Sequence, residues 1–234
     1  ILKGGKYSLD SADDTIHSNA NITISDGEFT LASGDDGIHA DSATTISGGT
    51  IDITESYEGI EGLSIDITGG ETYVSGPTND GNSALDYNGT GTVTGGIFIA
   101  AGSSGMAENF GDSSTQGVMM VTVNSQAAGS AVSLSDSSGN ELVSWTPEKE
   151  YTSVIISCPE ITTGQEYTLT TGSDTTQITM DSIVYGSGSG MGGNPGNGGG
   201  PGNGGDMGQK PDDGNGTGKG SGDGGNMGTP PEKS

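Results

Sequence analysis

The run Ser11-Ala12-Asp13-Asp14-Thr15-Ile16-His17 returns as Ser33-Gly34-Asp35-Asp36-Gly37-Ile38-His39, and more loosely as Glu55-Ser56-Tyr57-Glu58-Gly59-Ile60-Glu61. Both steps are 22 residues. A period this short is too small for a domain and fits one coil of a stacked solenoid. Units run from Ser11 to Ala32, Ser33 to Thr54, Glu55 to Ser75 and, with an insertion, Gly76 to Ala101. Each carries alternating apolar residues around a turn: Asp26-Gly27, Gly48-Gly49, Gly69-Gly70 and Gly95-Gly96. Alternation at period two means strand, and the glycines supply positive φ at the turns. The pattern predicts an all-β fold, a right-handed parallel β-helix of short strands.

Composition agrees. Only 28% of the 234 residues are apolar and 46 are Gly, too little for a conventional core but enough for Gly-turned coils. The net charge is −25, with six Lys and no Arg. Nucleic acid and anionic membrane surfaces are bound through basic groups, so both are excluded as partners. Such acidity suits metal cations, or a secreted protein kept soluble by repulsion. Cys158 is alone, so no intrachain disulfide forms. No stretch is apolar enough to span a membrane. Leu2–Leu9 aligns with Ile24–Leu31, 22 residues later, so the chain opens inside a coil and upstream coils are expected.

After Ala101 the repeat stops. Val118–Val123, Ala131–Ser135, Glu141–Thr146, Thr152–Ser157, Tyr167–Thr171 and Gln177–Tyr185 are alternating runs divided by turn signals, which read as antiparallel hairpins. A β-helix end needs covering, so this region is expected to form a C-terminal antiparallel β cap, with Trp145 in its core. From Gly186 to Ser234 the chain is nearly all Gly, Pro, Asn, Asp and Ser, a disordered linker or tail. The expected divisions are residues 1–116 (coils), 117–185 (cap) and 186–234 (tail).

Aligned on Ile16, Ile38, Ile60 and Leu85, the position two before reads Asp14, Asp36, Glu58, Ser83; three before reads Asp13, Asp35, Tyr57, Asn82; one after reads His17, His39, Glu61, Asp86. Stacking puts such groups about 4.8 Å apart on neighbouring coils. Unneutralised carboxylates at that spacing repel, and Ca²⁺, taking oxygens at about 2.3–2.6 Å, reverses the sign. Donors that are mostly oxygen favour Ca²⁺ over Zn²⁺ or Cu²⁺. Asp-Asp-Gly serves equally as turn chemistry. Asp41, Glu55 and Asp80 are weaker candidates on the same edge. His17 and His39, the only two His, read as groove-facing ladder residues or as donors to nearby acids.

The run Asp35–Asp41, the run Glu55–Gly62, Ser83-Ala84-Leu85-Asp86-Tyr87 and Ala100–Ala107 resemble a bacterial family of secreted carbohydrate-binding β-helix proteins, over roughly residues 1–185. The resemblance implies pectate-lyase-like architecture, calcium between coils, and binding of cellulose and acidic sugars such as polygalacturonate outside the cell. It would place metal ligands at Asp13, Asp14, Asp35, Asp36, Glu58, Glu61 and Asp80.

A lyase on this scaffold needs a Lys or Arg base besides calcium, and between Lys6 and Lys149 there is neither. A glycosidase needs carboxylates flanking one bond, whereas these acids recur on every coil. Non-catalytic binding is therefore the leading reading, with a lyase or glycosidase and a structural stalk or adhesin as alternatives. Held calcium would accept a uronate carboxylate that an acidic protein otherwise repels. Neutral glucans would need a strand face carrying Tyr57, Tyr73 or Tyr87, residues that serve equally as groove-edge packing. His17, His39, Tyr57, Asp86 and Tyr87 are the candidate ligand-contacting residues.

Overall fold

A computed structural model describes residues 1–186; the expected tail lies, from residue 187 on, outside the described residues. Strands β1 (Leu2–Ser11), β2 (Ile16–Ser18), β3 (Ile22–Ser33), β4 (Asp36–Glu55), β5 (Glu58–Ser75) and β6 (Leu85–Gly102) stack in parallel in the order β1-β3-β4-β5-β6, with β2 on β4. No helix occurs among the described residues. The parallel solenoid expected from the repeat is what forms.

The register follows the period. Ile16, Ile38, Ile60 and Leu85 are successive partners. So are Leu2, Ile24, Ile46, Ile67 and Val93 on a second side, and Leu9, Leu31, Ile53, Val74 and Ala100 on a third. From Ile24 to Ile67 these inward Ile and Leu side chains are fully buried. Each contributes about 1.5–3 kcal/mol relative to exposure. Two inward positions carry a hydroxyl instead: Thr44 and Thr72 are fully buried and their Oγ1 atoms have no partner.

The strands are longer than expected. β4 and β5 run through the corners, with register shifts at Ala40/Ala43, Ile46/Ser47 and Ser47/Thr50 in place of breaks. The coils stack corner on corner, and the register shifts at the bends absorb differences of a residue or two, so hydrogen bonding resumes directly after each bend. The bend itself needs glycine: Gly49, Gly70 and Gly96 have φ of 88°, 82° and 85°, and a Cβ on Gly96 would lie 2.6 Å from the carbonyl oxygen of Gly70.

Beyond β6 the chain follows the coil path without forming a strand. Ser103 N–H donates to Pro77 O (2.7 Å), Gly111 N–H to Gly91 O (2.8 Å) and Thr115 N–H to Val93 O (3.1 Å). Phe110 then packs edge-on against Phe98, centroids 5.0 Å apart. Next come β7 (Val118–Gln126), β8 (Val132–Asp136), β9 (Glu141–Trp145), β10 (Tyr151–Ser157), β11 (Glu166–Thr171), β12 (Asp174–Thr179) and β13 (Val184–Tyr185). Antiparallel β10 pairs with the last coil strand, Ile155 opposite Ala100, and with β7 on its other side. The end of the coil sheet is thus covered. β12-β11-β8-β9 form a separate antiparallel sheet. The run 177–185 divides in two, and β13 pairs parallel with β7. Trp145 is only partly buried and stacks on Tyr73 of the third unit, centroids 5.9 Å apart.

Candidate metal and glycan site

The acidic corners sit on top of one another because their backbones bond coil to coil. Asp36 N–H donates to Asp14 Oδ1 (3.2 Å), Thr15 N–H to Asp36 O (3.0 Å) and Tyr57 N–H to Asp35 O (2.7 Å). The Ser33 hydroxyl lies 2.8 Å from both Asp13 O and Asp36 O. Asp36 and Glu58 are direct register partners. Glycine permits this approach: a Cβ on Gly59 would meet Ala84 O at 2.2 Å and Val74 Cγ1 at 2.3 Å.

Three overlapping clusters result, linked through Asp14 and His39. On the outer side, Asp13, Asp14 and Asp35 bring carboxylate oxygens within 4.8 Å of one another. On the inner side, Asp14 Oδ2 lies 2.5 Å from His17 Nδ1 and 3.0 Å from His39 Nδ1. His39 Nδ1 is also 3.3 Å from Asp36 Oδ2, and its Nε2 is 3.4 Å from Glu61 Oε2 and 3.7 Å from Asp41 Oδ1. The two imidazoles meet at 4.7 Å between centroids.

Asp36 is the anomaly. It is 4% exposed and its Oδ1 has no hydrogen-bond partner. Burial, then the neighbouring Glu61, Glu58 and Asp14, push its carboxyl up to about 9. Burial, with Asp86, Glu61 and Asp35, pushes Glu58 up to about 7. Asp86 is raised by burial and by Glu61. Burial also pushes Asp14 upward, but bonds from His17, the Asp36 N–H and His39 outweigh it, and its net shift is downward. His17 is raised chiefly by Asp14. A buried acid facing acids, with a free oxygen, is the condition a cation relieves. The all-oxygen outer cluster fits the hard, oxygen-seeking Ca²⁺.

The structure therefore brings together Asp13, Asp14, Asp35, Asp36, His17, His39 and Glu61, with Glu58 and Asp86 continuing the column. Asp80 is elsewhere: it accepts a hydrogen bond from the Ser103 hydroxyl and joins none of these clusters. Tyr57 is half exposed. Tyr87 is partly buried, and its hydroxyl donates to Asn109 O (2.6 Å), so only part of its ring is open. A depression of about 260 Å³ beside the clusters is lined by His39, Asp41, Glu61, Leu63 and Asn88. Leu63 is 55% exposed there.

Glu108, Leu63 and Asn88 were not anticipated. Glu108 extends the acidic column: its Oε2 accepts the Tyr87 N–H (3.1 Å), and burial, with Asp86, raises its carboxyl. Its signal was the period itself, since Glu108 follows Asp86 by one 22-residue step.

A family model described as "Carbohydrate-binding domain-containing protein" matches residues 1–37. That segment runs from β1 into the first residues of β4 and contains Asp13, Asp14, His17, Asp35 and Asp36. Neither a curated protein nor a solved structure matches the chain.

Proposed function

We propose that this chain binds acidic polysaccharide of the polygalacturonate type through calcium held on its carboxylate ladder, without cleaving it, at the exterior of a bacterial cell. The carbohydrate-binding family match over residues 1–37 supports the ligand class. The observation that carries the reading is Asp36, a buried carboxylate with an unpartnered oxygen among Asp14, Glu58 and Glu61. Among the described residues no Lys forms an ion pair with any of these acids, and Lys149, which reaches this coil, bonds the carbonyl of Ser56 instead.

Asp13, Asp14 and Asp35 would hold the ion, with Glu58 and Asp86 extending the field along the coils. Calcium bound there would supply a positive centre whose open coordination positions accept a uronate carboxylate. The protein's own part is to orient the chain of sugars. Tyr57 and Leu63 offer apolar surface beside the acids, and Asn88 and Asp41 offer hydrogen-bonding groups to hydroxyls. The stacked coils repeat the acids at about the 4.8 Å strand spacing, which suits a polymer more than a single sugar. A catalytic reading lacks a cationic base, and the acids recur where a reaction would need one singular pair.

The test is retention on immobilised polygalacturonate. It should need Ca²⁺, weaken in Asp14→Ala and Asp35→Ala, and produce no rise in unsaturated product. Retention that survives complete chelation would move binding to the Tyr57–Leu63 surface and a neutral-glucan mode.

A further inference from the structure

The two histidines converge on one carboxylate oxygen: His17 Nδ1 and His39 Nδ1 both hydrogen-bond Asp14 Oδ2. We infer that His17 Nδ1, His39 Nδ1 and Asp14 Oδ2 form a site for a borderline divalent metal of the Zn²⁺ class, separate in chemistry from the oxygen-only calcium cluster. This goes beyond the polysaccharide reading and does not depend on it.

Three observations converge. First, both Nδ1 atoms point at the same carboxylate oxygen, 2.5 and 3.0 Å away. All three atoms lie within 4.8 Å of one another. A tetrahedral ion with bonds of about 2.0–2.1 Å has ligand–ligand edges of about 3.3 Å, so a slight opening of the cluster admits it. Two imidazoles stacked one coil apart, in the register Ile16–Ile38, are held in place by the sheet.

Second, the far nitrogen of His39 is supported. Its Nε2 faces Glu61 Oε2 at 3.4 Å and Asp41 Oδ1 at 3.7 Å. In the structure Nδ1 is the nitrogen bonded to carboxylate; when an ion takes Nδ1, the proton moves to Nε2, where Glu61 stands ready to accept its hydrogen bond. A carboxylate behind the non-ligating nitrogen is how proteins orient metal-binding histidines. Third, a further carboxylate adjoins the site through His39, in the neighbouring cluster of Asp36, His39 and Glu61. Asp36, 4% exposed, has an unpartnered Oδ1, and its Oδ2 is already 3.3 Å from His39 Nδ1. Imidazole nitrogen favours Zn²⁺, Ni²⁺ or Cu²⁺ and is a poor match for Ca²⁺. The third coil replaces His by Glu61 in this column, so one such site forms at the first two coils and the column continues as carboxylate.

Because the chain has only two His, the imidazole nitrogens can be read one by one. The untagged chain, held in excess Ca²⁺, is titrated with ZnCl₂ while the ring ¹⁵N resonances and the binding heat are followed. Both Nδ1 resonances should move together and saturate at one Zn²⁺ per chain. His17→Gln and His39→Gln should each weaken Zn²⁺ at least about tenfold, the lower end of what losing even a supporting partner costs. His17 is on the surface, so its variant should still fold, and losing the Asp14 contact should lower its melting temperature only modestly. Resonances that stay still, or movement of one His alone, would overturn the proposal. So would Zn²⁺ that excess Ca²⁺ displaces, since that places both ions in the oxygen cluster. Failure of polygalacturonate retention leaves these readouts untouched.

Discussion

Replacing the ionisable carboxyl of Asp36 by an amide should stabilise the metal-stripped protein, and the metal-loaded one by less. The carboxyl is pushed from 3.8 to about 9 by burial and by Glu61, Glu58 and Asp14. Between those values the folded state holds a proton that the unfolded chain has released, so stability falls as pH rises from about 4 to about 9. At pH 7 the difference from 3.8 amounts to about 4 kcal/mol at ~1.4 kcal/mol per unit. Solvent reaching the half-buried Glu58 and Glu61 screens part of this, and about 2 kcal/mol is the smaller expected effect. Glu58, pushed up to about 7, and the raised His17 act in the same direction, each losing stability as pH rises. Asp36→Asn keeps the shape, removes the charge and gives an amide that donates to the facing carboxylates. Urea unfolding of EDTA-treated protein from pH 5 to 9 should therefore slope downward for the wild type. The slope should be shallower for Asp36→Asn, with the variant more stable at pH 8. With saturating Ca²⁺ the gap between variant and wild type should narrow, because an ion on Asp13, Asp14 and Asp35 offsets the field that Asp36 faces. A wild-type profile that is flat in EDTA, or a variant less stable than wild type there, would refute the crowding of acids as the organising force of this corner.

Chelation alone should lower the melting temperature, and Ca²⁺ at 100 times its dissociation constant should restore about 2.7 kcal/mol by mass action; superimposable melts with EGTA and Ca²⁺ would remove calcium from the corner. Gly59→Ala places a Cβ 2.2 Å from Ala84 O and 2.3 Å from Val74 Cγ1, so it should cost about 3 kcal/mol or more, read as a drop in urea midpoint; a neutral result would mean the coils slide apart easily. Thr44→Val should raise stability by about 1 kcal/mol, because it removes a buried hydroxyl without a partner; destabilisation would show that Oγ1 bonds a group or a water inside the coil.

The 22-residue period determined much of this protein without reference to coordinates. The first three coils repeat at 22 residues, and the fourth resumes the same register after its insertion, so stacking that keeps every Ile inward has one solution. The partners Ile16, Ile38, Ile60 and Leu85, the outward His17, His39, Glu61 and Asp86, and the glycine corners therefore all follow from spacing. The antiparallel nature of the later strands was legible from alternation and turns. Their partners were not, because antiparallel pairing joins distant segments: β10 reaches back to β6, and β13 lies parallel on β7. Trp145, read as a core residue, packs partly buried on the edge of the cap's core, where docking also sets it against Tyr73. In the site, period put the acids in one column, but rotamers and burial decided their chemistry. Only the folded corner turns both Nδ1 atoms onto Asp14 Oδ2, strands Asp36 Oδ1 without a donor, sets Glu61 behind His39, and leaves Asp80 with Ser103. Backbone periodicity is local and additive along the chain, whereas the field at a buried carboxylate sums over every coil that packs against it.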